Sequence, residues 1–128
     1  MKRYFYFSLL GLLIVSSCFT PKKNCERFKT GTFEYQTYAD GELIKAKIVR
    51  NDSLEIDYYN PQEPDTSSIR WINECEYILR KYNPKSSDEK QSFKMKIIET
   101  ETNRYTFEFS QVGQDMVKEF NATRIEED

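Results

Sequence analysis

Histidine is missing altogether, and of 128 residues only three are cysteine, one is tryptophan, and glycine and proline number four each. Without histidine there is no His-activated nucleophile, no imidazole acid or base and no His-containing metal site. A Gly-rich phosphate loop, an EF-hand pattern and a Cys-x-x-Cys pair are also lacking, so nothing marks a nucleotide, calcium or redox-dithiol site. The net charge of −2 comes without a basic stripe, which leaves nucleic-acid binding little electrostatic support. No catalytic residue, metal ligand or cofactor is assigned, and the chain is not expected to be an enzyme.

What is present favours strands. Aromatic residues make up 15% of the chain, nine Tyr and nine Phe among them, and β-branched residues are frequent. The length suits one domain. Residues 1–17 open with Lys2 and Arg3, run through apolar residues from Tyr4 to Val15 and end in small ones. That is the pattern of a secretory signal peptide, expected as a short helix and too short for a stable transmembrane span.

Folded structure is expected to be organised around Ser67 to Tyr82. Ile69, Trp71, Cys75, Tyr77 and Leu79 occupy odd positions there, and Arg70, Glu74, Glu76 and Arg80 even ones, the period of half-buried strands. A loop of Ile72, Asn73 and Glu74 would pair Trp71 with Cys75 and Ile69 with Tyr77, with Trp71 in the core. Before it, Asp40-Gly41 is the strongest two-residue turn signal; centred there, Phe33 meets Ile48, Tyr35 meets Ala46, Thr37 meets Ile44 and Glu34 meets Lys47. The next strand, Leu54 to Tyr59, would turn Leu54, Ile56 and Tyr58 inward if the loop is Arg50-Asn51-Asp52. Glu55 and Asp57 would then lie on a solvated face opposite Lys47 and Lys45. Later, Phe93, Met95 and Ile97 and then Tyr105, Phe107 and Phe109 alternate with polar residues, with Ile97 expected opposite Tyr105 and Met95 opposite Phe107. A last strand near residues 115–123 would put Met116, Phe120 and Ala122 inward, with Lys118 breaking the pattern. About eight short strands without a helical crossover predict an all-β antiparallel meander, a small closed or half-open barrel, with a two-sheet sandwich as the alternative.

The ending Val15-Ser16-Ser17-Cys18 resembles a bacterial lipobox. With Cys25 to Phe33 (Cys-x-x-Phe-Lys-x-Gly-x-Phe) and Trp71 to Tyr77 (Trp-Ile-Asn-x-Cys-x-Tyr), nearly the whole chain resembles a class of small bacterial lipoproteins with a lipocalin-like β domain. Some of these carry a DNA topoisomerase IV label, for which this chain has neither a nucleotide-binding region nor a DNA-breakage module. No acidic run follows Cys18, so attachment is expected to face the periplasm. The resemblance implies lipidation of Cys18 and a membrane-anchored protein of the cell envelope. It divides the chain into signal peptide 1–17, lipidated tether 18–27, β domain 28–125 and acidic tail 126–128. With Cys18 lipidated, Cys25 and Cys75 are the two cysteines left, and in an oxidising compartment they are expected to form a disulfide.

The function expected is a binding module for a small apolar ligand, lipid or peptide, with a structural or protein-interaction accessory of the envelope as the alternative. Counting strand directions puts the tight returns at the tethered end and the longer loops at the other. Tyr38, Tyr58, Tyr59 and Tyr82 at that far rim are the candidate binding residues. Expected partners are the membrane, through Cys18, and a small apolar ligand or an envelope protein.

Overall fold

The computed structural model of the chain describes residues 16, 22–59 and 62–126; apart from Ser16, the signal peptide lies outside the described residues, as does Cys18. Eight strands follow one another: β1 (Gly31–Ala39), β2 (Glu42–Arg50), β3 (Leu54–Tyr59), β4 (Asp65–Trp71), β5 (Glu76–Lys81), β6 (Ser92–Thr100), β7 (Arg104–Gln111) and β8 (Val117–Glu126). Each pairs antiparallel with the next, and β8 returns to pair with β1. The meander is therefore a closed barrel, not a sandwich, in which the first and last strands pair with each other. Among the described residues no helix is long and apolar enough to cross a membrane.

The β1–β2 hairpin has the expected register, with Phe33 opposite Ile48, Tyr35 opposite Ala46 and Thr37 opposite Ile44. Asp40 at φ 51° and Gly41 at φ 79° supply the two positive φ angles of the turn, a conformation that glycine adopts freely and aspartate tolerates.

Other hairpins differ from expectation, each for a local reason. Between β4 and β5, Trp71 faces Tyr77 and Ile69 faces Leu79, because the loop is Asn73-Glu74-Cys75, closed by Ile72 N–H donating to Glu76 O and by Cys75 N–H donating to Asn73 Oδ1. A slip of two keeps the odd residues inside. Trp71 is half-buried and packs 4.5 Å from the Tyr77 ring. Between β6 and β7, Ile97 faces Phe107 and Met95 faces Phe109. There the turn closed by Glu101 N–H and Arg104 O would misalign the two faces, and a bulge between Ile97 and Glu99 restores them. Met116 precedes β8 and is 71% exposed, while Phe120 and Ala122 do turn inward.

The correction that matters most is at β2–β3. Asn51 Oδ1 accepts from Ser53 N–H and Leu54 N–H, and Asn51 N–H donates to Leu54 O. This side-chain turn shortens the loop to Asp52-Ser53 and pairs Arg50 with Glu55, Ile48 with Asp57 and Ala46 with Tyr59. An odd shift exchanges the two faces of a strand. Leu54, Ile56 and Tyr58 therefore do not point inward, and Glu55 and Asp57 do not lie on a solvated face opposite Lys47 and Lys45. Glu55, Asp57 and Tyr59 point into the barrel.

One end of the barrel is closed by residues 24–30. Cys25 is disulfide-bonded to Cys75 in the β4–β5 loop, with Cα atoms 5.2 Å apart. Phe28, on the short 3-10 turn Glu26–Phe28, is fully buried, 5.0 Å from the Tyr105 ring. Asn24 N–H donates to Thr100 Oγ1 and Arg27 to Thr102 O. Arg124 on β8 reaches back to donate to Thr30 O and Arg27 O. The tight returns of the barrel gather at this end, as the strand directions predict.

Candidate functional site

A layer of charge lies directly above the cap. Arg50 ends β2 on the inward face set by Ala46 and Ile48, and it is 0% exposed. Its Nε donates to Glu55 Oε2 at 2.7 Å, Nη1 to Phe28 O at 2.8 Å, and Nη2 to Tyr77 Oη at 2.7 Å and Tyr105 Oη at 2.9 Å. The guanidinium also lies 4.9 Å from the Tyr77 ring and 5.1 Å from that of Phe33. A buried cation is tolerable only when paired and hydrogen-bonded in this manner. Burial works against the charge of Arg50, but the oxygens of Tyr105, Tyr77 and Glu55 outweigh it and raise its pKa. Burial raises Tyr77 and Tyr105, with Arg50 opposing, so both phenols stay protonated.

Above this layer the barrel is hollow. A cavity of about 310 Å³ is lined by Tyr35, Thr37, Tyr38, Glu55, Asp57, Tyr59, Leu79, Met95, Phe107, Phe109, Lys118 and Phe120. It opens at the end away from Cys25. Its aromatic wall is continuous: Tyr35 lies 6.0 Å from Phe107 and 5.6 Å from Phe120, and Phe107 lies 5.7 Å from Phe120. The ladder between β1 and β8 runs only from Thr32 to Tyr35, so Gln36 to Ala39 have no strand partner on that side.

β3 is the polar stave. Glu55, Asp57 and Tyr59, spaced about 6.6 Å apart along the strand, climb from the charged layer towards the mouth. Tyr59 and Tyr35 share a hydrogen bond of 3.1 Å between their hydroxyls. Burial raises both phenols, Tyr35 to about 12. For Asp57, burial and then the charge of Glu55 beside it, opposed by Arg50, push the carboxyl up to about 8. Its Oδ1 is sealed from solvent with no hydrogen-bond partner. Buried acceptors in that state are uncommon.

The four tyrosines selected from the sequence separate. Tyr59 and Tyr38 line the cavity, Tyr38 at its lip and 75% exposed. Tyr58 faces outward, with Lys47 Nζ 4.9 Å from its ring. Tyr82 lines a different, polar groove of about 450 Å³ between the β3–β4 and β5–β6 loops, where Lys81 bridges Asp65 and Glu89. Sequence reasoning missed Arg50, Asp57 and Glu55 as interior residues because apolar alternation favoured Leu54, Ile56 and Tyr58. One signal was present: Arg50 is in phase with Ile44, Ala46 and Ile48, and an inward arginine requires an inward carboxylate. Lys118, which broke the pattern of β8, is in the inward phase at the mouth, opposite Phe109.

Among the described residues no three or more of His, Cys, Asp and Glu gather closely enough to hold a metal ion. No protein-family profile, curated protein or solved structure matches the chain.

Proposed function

We propose that the protein is a lipid-anchored lipoprotein of the bacterial cell envelope, facing the periplasm, whose barrel holds one small and largely apolar ligand in its open end. The observation that carries this reading is the cavity of about 310 Å³, walled by aromatic side chains with a few polar groups on one strand. Apolar walls with sparse, convergent polar groups are the general character of small-molecule sites, and this volume is near the low end of their range of ~300–1,000 Å³. It suits one compact ligand, not a two-chain lipid. Lipidation of Cys18 supports the orientation. Only a few residues separate it from Cys25, which is fastened to the closed end, so the mouth points away from the membrane.

The test is gentle extraction of the full-length protein from membranes, followed by mass spectrometry of what comes with it. A compact compound should accompany the wild type and be lost from Thr37→Trp, which narrows the mouth. Equal recovery from both variants would place the ligand elsewhere. Cys18→Ser should leave the membrane fraction; if it stays there at unchanged mass, the anchor reading fails.

A second reading, docking of an envelope protein, is favoured by the exposed apolar residues around the mouth. Tyr38, Leu43, Val112, Met116 and Val117 are each roughly half exposed or more. It predicts that Met116→Glu loses a co-purified protein while small-molecule recovery is unchanged.

A further inference from the structure

Asp57 is the one carboxylate of the cavity for which the barrel supplies no cation. Arg50 is committed to Glu55, Phe28 O, Tyr77 and Tyr105. Asp65, opposite Asp57 on β4, is paired with Lys81 at 3.3 Å. Lys118 stands exposed at the mouth and makes no ion pair among the described residues. Asp57 thus lines an aromatic cavity as a part-exposed side chain, with one carboxyl oxygen closed off and unpaired and, among the described residues, no cation paired with the carboxylate.

Resting on the small-ligand reading above, we propose that the site takes a small organic amine, its ammonium group held by the Asp57 carboxylate and its apolar body lying against Tyr35, Phe107, Phe109 and Phe120. An ammonium supplies the donors and the charge that Asp57 lacks, and the π faces of the surrounding rings attract cations. An anion would be repelled by the charge of Glu55 and would offer no donor to Asp57. A neutral apolar molecule would fill the cavity but leave the carboxyl oxygen unpaired. A bare metal ion would find too few oxygen ligands among the described residues and aromatic walls in their place.

The empty site anticipates the ligand with a proton. The groups facing Asp57 are Glu55 and Tyr59 on its own strand, Arg50 on β2, Asp65 on β4, Tyr35 on β1 and Lys118 on β8. Among them burial and the acids prevail, and the Asp57 carboxyl keeps its proton until about pH 8. The ammonium replaces that proton. No bond to carbon forms or breaks; the proton passes to solvent as the ligand enters. Only the ionised fraction of the protein is competent, so affinity rises with pH, by up to about tenfold per unit below 8.

Three probes of one size and different charge test this by calorimetry on the full-length protein in detergent: 2-phenylethylamine, 2-phenylethanol and 3-phenylpropanoate. The amine should bind about tenfold or more tightly than the alcohol, and the acid more weakly than either. Amine affinity should strengthen from pH 6 to pH 8, and comparison of buffers with different ionisation enthalpies should show close to one proton released at pH 7. In Asp57→Asn, its fold checked by thermal melting, the amine's advantage over the alcohol should vanish; the proton count in the wild type needs no variant. If the alcohol or the acid binds as well as the amine, or no proton is released, the amine assignment is overturned while the small-ligand reading stands. If none of the three binds to the folded protein, both fall.

Discussion

Arg50 and Glu55 face each other across the β2–β3 hairpin with Nε and Oε2 2.7 Å apart and both side chains shut off from water. The pair divides the barrel into a sealed lower half, filled by Phe28, Phe33, Tyr77 and Tyr105, and a hollow upper half that begins at Asp57. Removing one partner leaves the other charged and unpaired in the interior. Arg50→Met and Glu55→Gln should therefore each cost on the order of 3–5 kcal/mol, whereas the double variant Arg50→Met/Glu55→Leu should recover much of the loss. Urea unfolding of the single and double variants measures this. Single-variant losses below about 1 kcal/mol would show that the pair is not buried as described.

The disulfide ties the cap to the barrel. Cys25 and Cys75 are 50 residues apart in sequence, and closing a loop of that length is worth about 4 kcal/mol in the chain-entropy picture. Cys25→Ser/Cys75→Ser, or reduction of the wild type, should lower the melting temperature sharply. Both thiols should resist alkylation until a reductant is added. Ready alkylation of the unreduced native protein would contradict the bond.

Asp57 makes stability depend on pH in an unusual direction. The native state keeps its proton up to about 8, while the unfolded chain releases it near 3.8. Between these values the native state binds more protons than the unfolded one, so stability falls as pH rises from about 4 to about 8. The slope approaches ~1.4 kcal/mol per pH unit at most. Asp57→Asn should flatten the profile and be the more stable protein at the alkaline end. Urea midpoints at intervals across this range decide it; a wild-type midpoint that climbs with pH would refute the assignment.

Tyr59 and Tyr82 should behave differently although both stand near the far rim. Tyr59→Phe removes the 3.1 Å bond to Tyr35 inside the cavity and should weaken retention of any co-purified compound by several-fold, about 1 kcal/mol. Tyr82→Ala changes only the separate groove and should leave retention unaltered. Quantitative mass spectrometry of the two variants checks this, and loss of the compound from Tyr82→Ala alone would move the site to that groove.

Most of the architecture follows from alternation along the chain. Wherever one face is plainly apolar, as in Phe33-Tyr35-Thr37 against Ile44-Ala46-Ile48, parity identifies the buried side and Asp40-Gly41 fixes the pairing. In β4–β5 the loop, and in β6–β7 the turn together with a bulge, moved the register by two residues, yet every inward residue kept its face, because the side-chain period is also two. The pairing of Cys25 with Cys75 followed from counting cysteines and strand directions. β3 could not be read in that way. Leu-Glu-Ile-Asp-Tyr-Tyr has an apolar set on one parity and a charged set on the other, and burial preference alone chooses the first. Tertiary structure chose the second: the Asn51 side chain closes a two-residue loop, and the buried guanidinium of Arg50 repays the burial of Glu55 across the hairpin. A charged face turned inward becomes stable only when strands distant in sequence bring its partners to it, as Tyr77, Tyr105 and the carbonyl of Phe28 do here. The carboxyl of Asp57, left without such a partner, is the feature that distance in sequence hid most completely.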